Sequence, residues 1–398
     1  MNTMITGSKE LIRDINTTLV LETIFGSRYI SRAAIAKKLG LTKATITNIV
    51  QDLIQKKLVL ENGCDDTLVG RKPILLSLNK DAGYVISIDI GIETISAIMT
   101  DLIGEKKSLR QIKTPGKKED ITPVLIQLIE DMEPDIKALP YGLIGITLGI
   151  HGVIQNNTIQ FTPHYNLENV DLAGAIEEHF QTPVILENVA NLSILGEKAF
   201  LYNYENMSSI MIYSGIGMGV IINQNLYTGS LGHAGEIGHT IVEVDGRECP
   251  CGNHGCLEQY LSEQSLLKEF AREKNMEQVS FEQFLSLYNN GDEVAMKTVD
   301  TFTKYMAVCV NNIINAFNSD IVIINSSFTT YLPQLIDQIK ERLNKNIKSK
   351  LNLVPSTLGI SAVLLGGICI SIKNFLNIND INYTSYEYYK TPKRYPSK

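Results

Sequence analysis

The stretch that most restricts the fold is Gly235–Glu258, which reads GEIGHTIVEVDGRECPCGNHGCLE. Cys249, Cys251 and Cys256 form a C-x-C-x4-C cluster, and His239 precedes its first thiol by ten residues. Three of the chain's six cysteines within eight residues argue against chance, and three thiols with one imidazole make a tetrahedral Cys3His zinc set. The plainer reading, three ordinary buried thiols and a core histidine, leaves that clustering unexplained. Glycines at 246, 252 and 255 allow tight turns between ligands. The spacing is that of a structural site, and Glu236 and Glu258 bracket it. A metal-braced loop would hold both carboxylates rigidly enough to recognise hydroxyl groups.

A chain of 398 residues exceeds one ordinary domain, so two or three compact units are expected. The apolar run Ile360–Ile372 is too short to span a bilayer and includes two glycines and two serines. The first residues, MNTMITGSKE, lead into a charged helix and carry no apolar signal core. Few cysteines, half of them placed as metal ligands, suit a reducing compartment. The expectation is a soluble, cytoplasmic protein.

Net charge is −7, but it is unevenly distributed. Residues 1–80 hold twelve Lys or Arg against seven Asp or Glu, leaving 24 against 36 for the remainder. A basic module on an acidic body points to nucleic acid. Leu11, Ile15, Leu19, Val20 and Ile24 make a helical stripe over Leu11–Phe25, ending before Gly26. Ser31 caps a second helix, Arg32–Leu39, with Ile35 and Leu39 inward. Gly40 stops it, and Thr42 caps a third helix running to about Lys56. This is a helix-turn-helix. Thr42, Lys43, Thr45, Thr47 and Asn48 are its candidate DNA readers, and Ser31 and Arg32 are counted as contacts at the start of the second helix. Ile46, Ile49, Val50 and Leu53 form the core face. LVLENG and PILLSL read as the strands of a wing whose loop carries Arg71 and Lys72 toward the minor groove or phosphates. A small protein-interaction module with a plain hairpin is the competing reading.

From Gly83 the pattern becomes α/β. Strands are expected at YVISIDIG, TISAIMTDL, LIGITLGI, PVILEN, SIMIYSGIGMGVIIN and DIVIINSS. Helices are expected over Pro123–Met132, Leu172–Phe180, Glu263–Phe270, Val294–Phe317 and Tyr331–Leu343. Two such stretches suggest two lobes and a cleft, with ligands at the strand carboxyl ends near His151, Asn188, Asn191 and the glycine turn 215–219.

These residues resemble the ROK family of repressors and sugar kinases over residues 10 to about 375, most of all its xylose-repressor-like branch. The resemblance is carried by INTTLVLETI, SRAAIAKKLGLTKATITNIV, GRKP, ENVAN, HAGEIGHTIVE and CPCGNHGCLE. It implies a winged helix-turn-helix domain (1–80) and a two-lobed actin-like, hexokinase-like body. The lobes would be 81–195 and 196–378, the last helix returning to the first lobe, with a tail at 379–398. It also implies a Zn2+ site at His239, Cys249, Cys251 and Cys256, and a sugar held by Asn188, Glu236, His239 and Glu258.

Departures from the kinase pattern decide the expected function. Family kinases carry E-N-D-A-N, whose aspartate deprotonates the sugar; here Val189 stands in its place and accepts no proton. The phosphate loop D-x-G-G-T becomes Asp89-Ile90-Gly91-Ile92-Glu93, which puts a carboxylate where phosphates would lie. The adenosine-seating glycines become Asn325-Ser326-Ser327, while a glycine-rich turn survives at Ser214–Gly219. The expected function is therefore a sugar-responsive, non-enzymatic repressor of carbohydrate genes, binding a palindromic operator as a homodimer or larger assembly. A sugar kinase with an accessory DNA-binding domain, and a repressor controlled by a protein partner, are the alternatives. Hydroxyl-binding carboxylates serve xylose, glucose and amino sugars alike, so the sugar stays open.

Arg71→Ala and Lys72→Ala are expected to weaken binding to every DNA sequence, lowering the slope of log affinity against log salt by about 0.9 for each phosphate no longer neutralised. Substitutions at Thr45 or Thr47 should instead change which sequence is preferred. Salt titrations on operator and random DNA separate the two effects.

Overall fold

The computed structural model describes residues 9–64, 74–132, 139–163, 166–168, 170–348 and 351–384. Arg71 and Lys72, and the tail beyond residue 384, lie outside the described residues. The chain packs as two compact units. Among the described residues, one comprises Lys9–Glu187, Ala199–Tyr202 and Leu364–Thr384; the other comprises Asn188–Lys198 and Asn203–Val363.

The first unit opens with three helices, α1 (Lys9–Ser27), α2 (Arg32–Leu39) and α3 (Lys43–Gln55). The Ser31 hydroxyl accepts from Ala34 N and the Thr42 hydroxyl from Thr45 N, so both helix starts are capped as the sequence indicates. Gly40 turns the chain between them at φ 67°, in the left-handed region. Ile46, Ile49, Val50 and Leu53 are buried. The α1 expectation needs correction. The helix runs through Gly26 to Ser27, and its burial begins only at Val20, leaving Leu11, Ile15 and Leu19 exposed by 46%, 51% and 37%. Its amino-terminal half is tied to α3 by the Arg13–Asp52 ion pair but contributes no buried residue before Val20. Leu39 is half-buried. Strands β1 (Ile30–Ser31), β2 (Val59–Cys64) and β3 (Ile74–Leu78) form an antiparallel sheet in the order β1-β3-β2, which supplies the wing.

Next come β4 (Tyr84–Ile90), β5 (Thr94–Asp101), β6 (Lys106–Lys113) and β7 (Leu143–Ile150). A hairpin of β8 (Val153–Gln155) and β9 (Thr158–Phe161) follows, and then β10 (Val184–Asn188). The five-stranded sheet has the order β10-β7-β4-β5-β6, with β4 and β7 parallel and β4, β5 and β6 antiparallel. All seven residues of β4 are buried, the mark of a strand covered on both faces. Helices α4 (Ile121–Glu130) and α5 (Leu172–Phe180) join its apolar core. The Thr147 hydroxyl reaches Gly367 O at 2.9 Å and Ser371 Oγ at 2.7 Å, fixing the carboxy-terminal helix Ser361–Leu376 to the sheet through its described first-unit residues.

Helix α6 (Val189–Phe200) leads into the second sheet, built from β11 (Met207–Ile212), β12 (Ile216–Ile222), β13 (Asn225–Leu226), β14 (Ile321–Ser326) and β15 (Leu353–Pro355). Its order is β13-β12-β11-β14-β15. SIMIYSGIGMGVIIN, expected as one strand, is a hairpin: Ile212 pairs with Ile216 antiparallel around the Tyr213–Gly215 turn. Helices α7 (Glu258–Leu261), α8 (Glu263–Glu273), α9 (Phe281–Asn289) and α10 (Glu293–Phe317) follow, and α9 was not anticipated. The helix expected over Tyr331–Leu343 is the shorter α12 (Leu335–Glu341), and an unanticipated helix, α11 (Ser327–Tyr331), precedes it. Pro333 explains the break, because it offers no N–H and pushes Leu332 out of helical geometry, to φ −126° and ψ 67°. Phe270, Phe281, Phe284, Phe302 and Phe328 centre this core, Phe302 and Phe328 stacking at 4.6 Å. Truncating one such ring typically costs about 3–5 kcal/mol. Among the described residues no helix is long and apolar enough to cross a membrane.

Within the second unit, the Glu197 carboxyl of α6 is fully buried and accepts a hydrogen bond from the Ser356 hydroxyl. Burial pushes its pKa up to about 7, against the ordinary 4.5. The folded chain thus holds a proton that the unfolded chain releases, and stability falls as pH rises from about 4.5 to about 7. The slope is on the order of 1.4 kcal/mol per pH unit, flattening above that window. Glu197→Gln should remove this decline and exceed the native protein in stability at alkaline pH, as urea melts across the window would measure.

Candidate functional site

Strand β12 organises the second unit's site. On one side it receives the loop that ends in His239, through a 2.9 Å bond from Met218 N to Gly235 O. On the other it receives the first turn of α6. A Cβ on Gly219 would lie 2.4 Å from Ala190 O, and one on Gly217 would lie 3.0 Å from the Ala190 side chain. These glycines of the surviving glycine-rich turn therefore serve close helix–strand packing. Asn188 caps α6, its Oδ1 accepting from Ala190 N at 2.8 Å. Val189 and Asn191, next in the helix, are buried. Glu258 opens α7 and is anchored in turn: its Oε2 accepts from Ile216 N at 3.0 Å, at the start of β12.

The Cys/His segment folds as a small clasp. Ile241 bridges Cys256 and Glu248 bridges His254, both antiparallel, and Cys249 N donates to Asn253 O at 2.9 Å. Gly255 is required at φ 74°, where a Cβ would sit 1.7 Å from Glu243 O. The clasp brings His239, Cys249, Cys251 and Cys256 together, with their ligand atoms all within 4.8 Å of one another. Cys249 Sγ lies 3.7 Å from His239 Nδ1, and Cys251 Sγ 3.6 Å from Cys256 Sγ. A tetrahedral ion with metal–thiolate bonds of roughly 2.3 Å imposes ligand separations of about 3.7 Å, so the donors present fit such an ion. Gln259 Nε2, a residue the sequence reading missed, donates to Cys249 Sγ at 3.6 Å and supports a thiolate there.

His239 has two distinct faces. Its Nδ1 faces the thiols, while its Nε2 points toward Glu236 Oε2 at 3.9 Å. With Nδ1 committed to a metal, Nε2 carries the proton and presents it toward the carboxylate side. Burial pushes the Glu236 carboxyl above the usual range, His239 and His233 pull it back in part, and the negative charge of Glu258 adds to the rise. Two carboxylates beside a half-exposed imidazole make a polar arrangement with both hydrogen-bond donors and acceptors. His233 was not among the sequence candidates; only its place three residues before Glu236 marks it.

Asn325, fully buried at the end of β14, accepts from the Tyr213 hydroxyl at 2.8 Å and donates to Gly359 O at 2.9 Å and Ser193 Oγ at 3.2 Å. Ser326 caps α11. Side chains bonded to their surroundings thus occupy the end of β14, the stretch where the kinase pattern of the family carries glycines.

In the first unit, His151 Nε2 bonds Asp89 Oδ1 at 3.0 Å. Burial pulls the imidazole pKa down, but the bond to Asp89 and its charge outweigh that and leave it raised. Glu93 is exposed, and its carbonyl holds Thr114 N at 2.9 Å. In the helix-turn-helix, Thr42, Lys43, Thr47 and Asn48 are exposed and Thr45 is half-buried. Three hydroxyls are already engaged: those of Thr42 and Thr45 with each other at 2.9 Å, and that of Thr47 with Lys43 O at 2.8 Å. Ser31 is spent as a cap, and Arg32 pairs with Glu61 of β2 at 2.6 Å.

The sequence profile of the ROK family matches residues 85–374. The xylose repressor of Bacillus spizizenii is 36% identical over 380 residues, covering 94% of this chain and 98% of that protein. Among solved structures, a ROK family transcriptional regulator, homologous to the E. coli MLC protein, superposes with TM-score 0.77 at 24% identity, covering 94% of this chain and 97% of that one. A ROK family glucokinase from Streptomyces griseus, in complex with glucose and AMPPNP, matches with TM-score 0.65 at 22% identity over 72% of this chain and 99% of its own.

Cys251→Ser removes one donor of the clasp. Metal affinity is expected to fall by more than the roughly 10–100-fold that loss of an outer hydrogen-bond partner costs. Because the clasp carries Glu236 and Glu258 at its two ends, sugar affinity should fall with it. Metal content by mass spectrometry and sugar titration, run on the same preparations, test both; undiminished sugar binding in metal-free protein would refute the link.

Proposed function

The chain belongs to the ROK family, and from that premise we propose that it is a sugar-responsive transcriptional repressor of carbohydrate genes, released from its operator when a sugar binds the ROK body. One observation carries the reading. The residue after the hydroxyl-binding Asn188 is the buried Val189, so the site keeps the means to hold a sugar and lacks the base to phosphorylate it. The protein is a regulator and not an enzyme. The filled Asn325 region and the carboxylate of Glu93 further disfavour a nucleotide.

Asn188, Glu236, Glu258 and the Nε2 face of His239 are the proposed sugar ligands, a direct hydrogen-bonding set for ring hydroxyls. Zn2+ is the ion proposed for His239, Cys249, Cys251 and Cys256; it supplies no chemistry beyond bracing, since all four positions are taken by protein donors. Thr45, Thr47, Asn48 and Lys43 are proposed to meet the major groove, with Arg71 and Lys72 on adjacent phosphates or the minor groove. One winged helix covers a half-site, which supports a homodimer on a palindromic operator in the cytoplasm. The kinship with xylose repressors makes D-xylose the first effector to test.

Operator titrations with and without D-xylose, D-glucose and N-acetyl-D-glucosamine, run beside a coupled ADP assay, test the reading. Expected are a fall in operator affinity with one sugar, of roughly 5- to 150-fold, and no sugar-dependent ADP. ADP production would overturn the non-enzymatic reading, and an operator affinity that no sugar changes would favour control by a protein partner.

A further inference from the structure

The chain beyond the carboxy-terminal helix has no place in the function so far. Its described part, Asn377–Thr384, is nevertheless firmly seated: Ile378, Ile381 and Tyr383 are exposed by 3%, 5% and 0%, and Tyr383 ranks among the largest fully buried side chains. On one side this segment meets α1 of the DNA-binding module. The Thr18 hydroxyl donates to Asn377 O at 3.2 Å, Asn379 N donates to the Glu22 carboxylate, and the Phe25 ring lies 5.3 Å from that of Tyr383. On the other side it meets the end of α6. Tyr383 N donates to Ala199 O at 2.7 Å, and the Phe200 and Tyr383 rings stack at 4.5 Å with an interplanar angle of 29°.

The helix that ends at Phe200 is the one that Asn188 caps at its start. A twelve-residue helix is a rod of about 18 Å, stiff along its axis. A displacement imposed on its first turn is therefore delivered at its last. We propose that Asn377–Thr384 is a coupling strap: α6 reports sugar occupancy at Asn188 to Tyr383, and Tyr383 passes the displacement to Phe25 and so to α1 of the helix-turn-helix. The inference rests on the sugar-responsive reading above and specifies the route by which binding reaches DNA.

Tight aromatic packing suits this role, because stacked rings repack between discrete arrangements and do not deform continuously. A second anchor sets the reference against which α1 moves. The Tyr141 hydroxyl donates to Lys56 O at the carboxyl end of α3, at 2.8 Å, and its ring meets Phe375 at 5.1 Å. The module is thus held at α3 by one aromatic and at α1 by another, and of these two only the α1 hold continues into the helix capped by the proposed sugar ligand. A sugar that displaces α6 would shift α1 against a fixed α3, changing the presentation of the recognition helix. The sugar must favour one arrangement over the other for any response to appear.

The test separates coupling from mere tethering. Tyr383→Leu and Phe200→Leu keep apolar volume while abolishing the ring stack, and neither residue is placed at the sugar, the metal or the DNA. Operator affinity is measured with and without D-xylose, D-glucose and N-acetyl-D-glucosamine, and sugar affinity is measured separately by calorimetry. Expected is unchanged sugar affinity, near-native operator affinity without sugar, and a sugar-induced change reduced from the roughly 5- to 150-fold range to within about twofold of none. Tyr383→Phe, which keeps the ring, should restore the native response. A normal wild-type response that survives both leucine substitutions overturns the strap alone. A wild-type operator affinity that no sugar changes overturns the sugar-responsive reading and the strap with it.

Discussion

Three thiols and an imidazole brought within 4.8 Å of one another are the constraint on which the ligand site depends. The clasp that carries them has little apolar core of its own: Ile241 and Val244 are exposed by 57% and 86%. A segment of this kind cannot offset its ordering entropy by burial, and an ion held by its four donors would do for it what a packed core does elsewhere. Glu236 and Glu258 lie just outside the clasp, one at each end of it in the chain. Their positions are set by the hold of β12 on Gly235 and on the Glu258 carboxylate, to which a bound ion would add its own geometry.

The ROK body shows how a fold associated with catalysis is turned to sensing without losing its architecture. The surviving glycine turn at β12 has a packing reason to persist, because Gly217 and Gly219 admit Ala190 of α6. Elsewhere the catalytic requirements have been filled in with side chains. Asn325 is the clearest case: a buried amide with three hydrogen bonds to its surroundings stabilises the second unit at a position where the kinase pattern has glycine. Val189 is the parallel case at the start of α6, an apolar buried side chain where the kinase pattern carries an aspartate.

Docking of the DNA-binding module is equally specific. Its helices rest on short apolar contacts and on hydrogen bonds from Tyr141, Thr18 and the Asn379 backbone, all within the first unit. A module held by a few such contacts can be displaced at modest cost, as a switch requires.

Much of this was legible in the residues themselves. Caps at Ser31 and Thr42, the glycine stop at Gly40 and the inward face of α3 follow from local propensity and periodicity, and these are properties of a few consecutive residues. The Cys/His cluster was legible for the same reason, its ligands being close in sequence, and the loss of the base at residue 189 needed only a residue identity. Features that depend on distant neighbours were not legible. The hairpin at Tyr213–Gly215 looked like one strand because both arms are apolar, and only strand pairing reveals the turn. The exposed half of α1 carries the same apolar period as the buried half, and what covers a stripe is a tertiary fact. Asn325 and Glu197 found their roles in partners more than a hundred residues away along the chain. The segment at Tyr383 had no interpretable local pattern at all. Local sequence determined the ligands and the capped helices, because short-range sterics and hydrogen bonds suffice for them. Burial, buried polar pairing and the seating of Tyr383 between Phe25 and Phe200 were decided only when the chain closed on itself, because each requires atoms that sequence separation keeps apart.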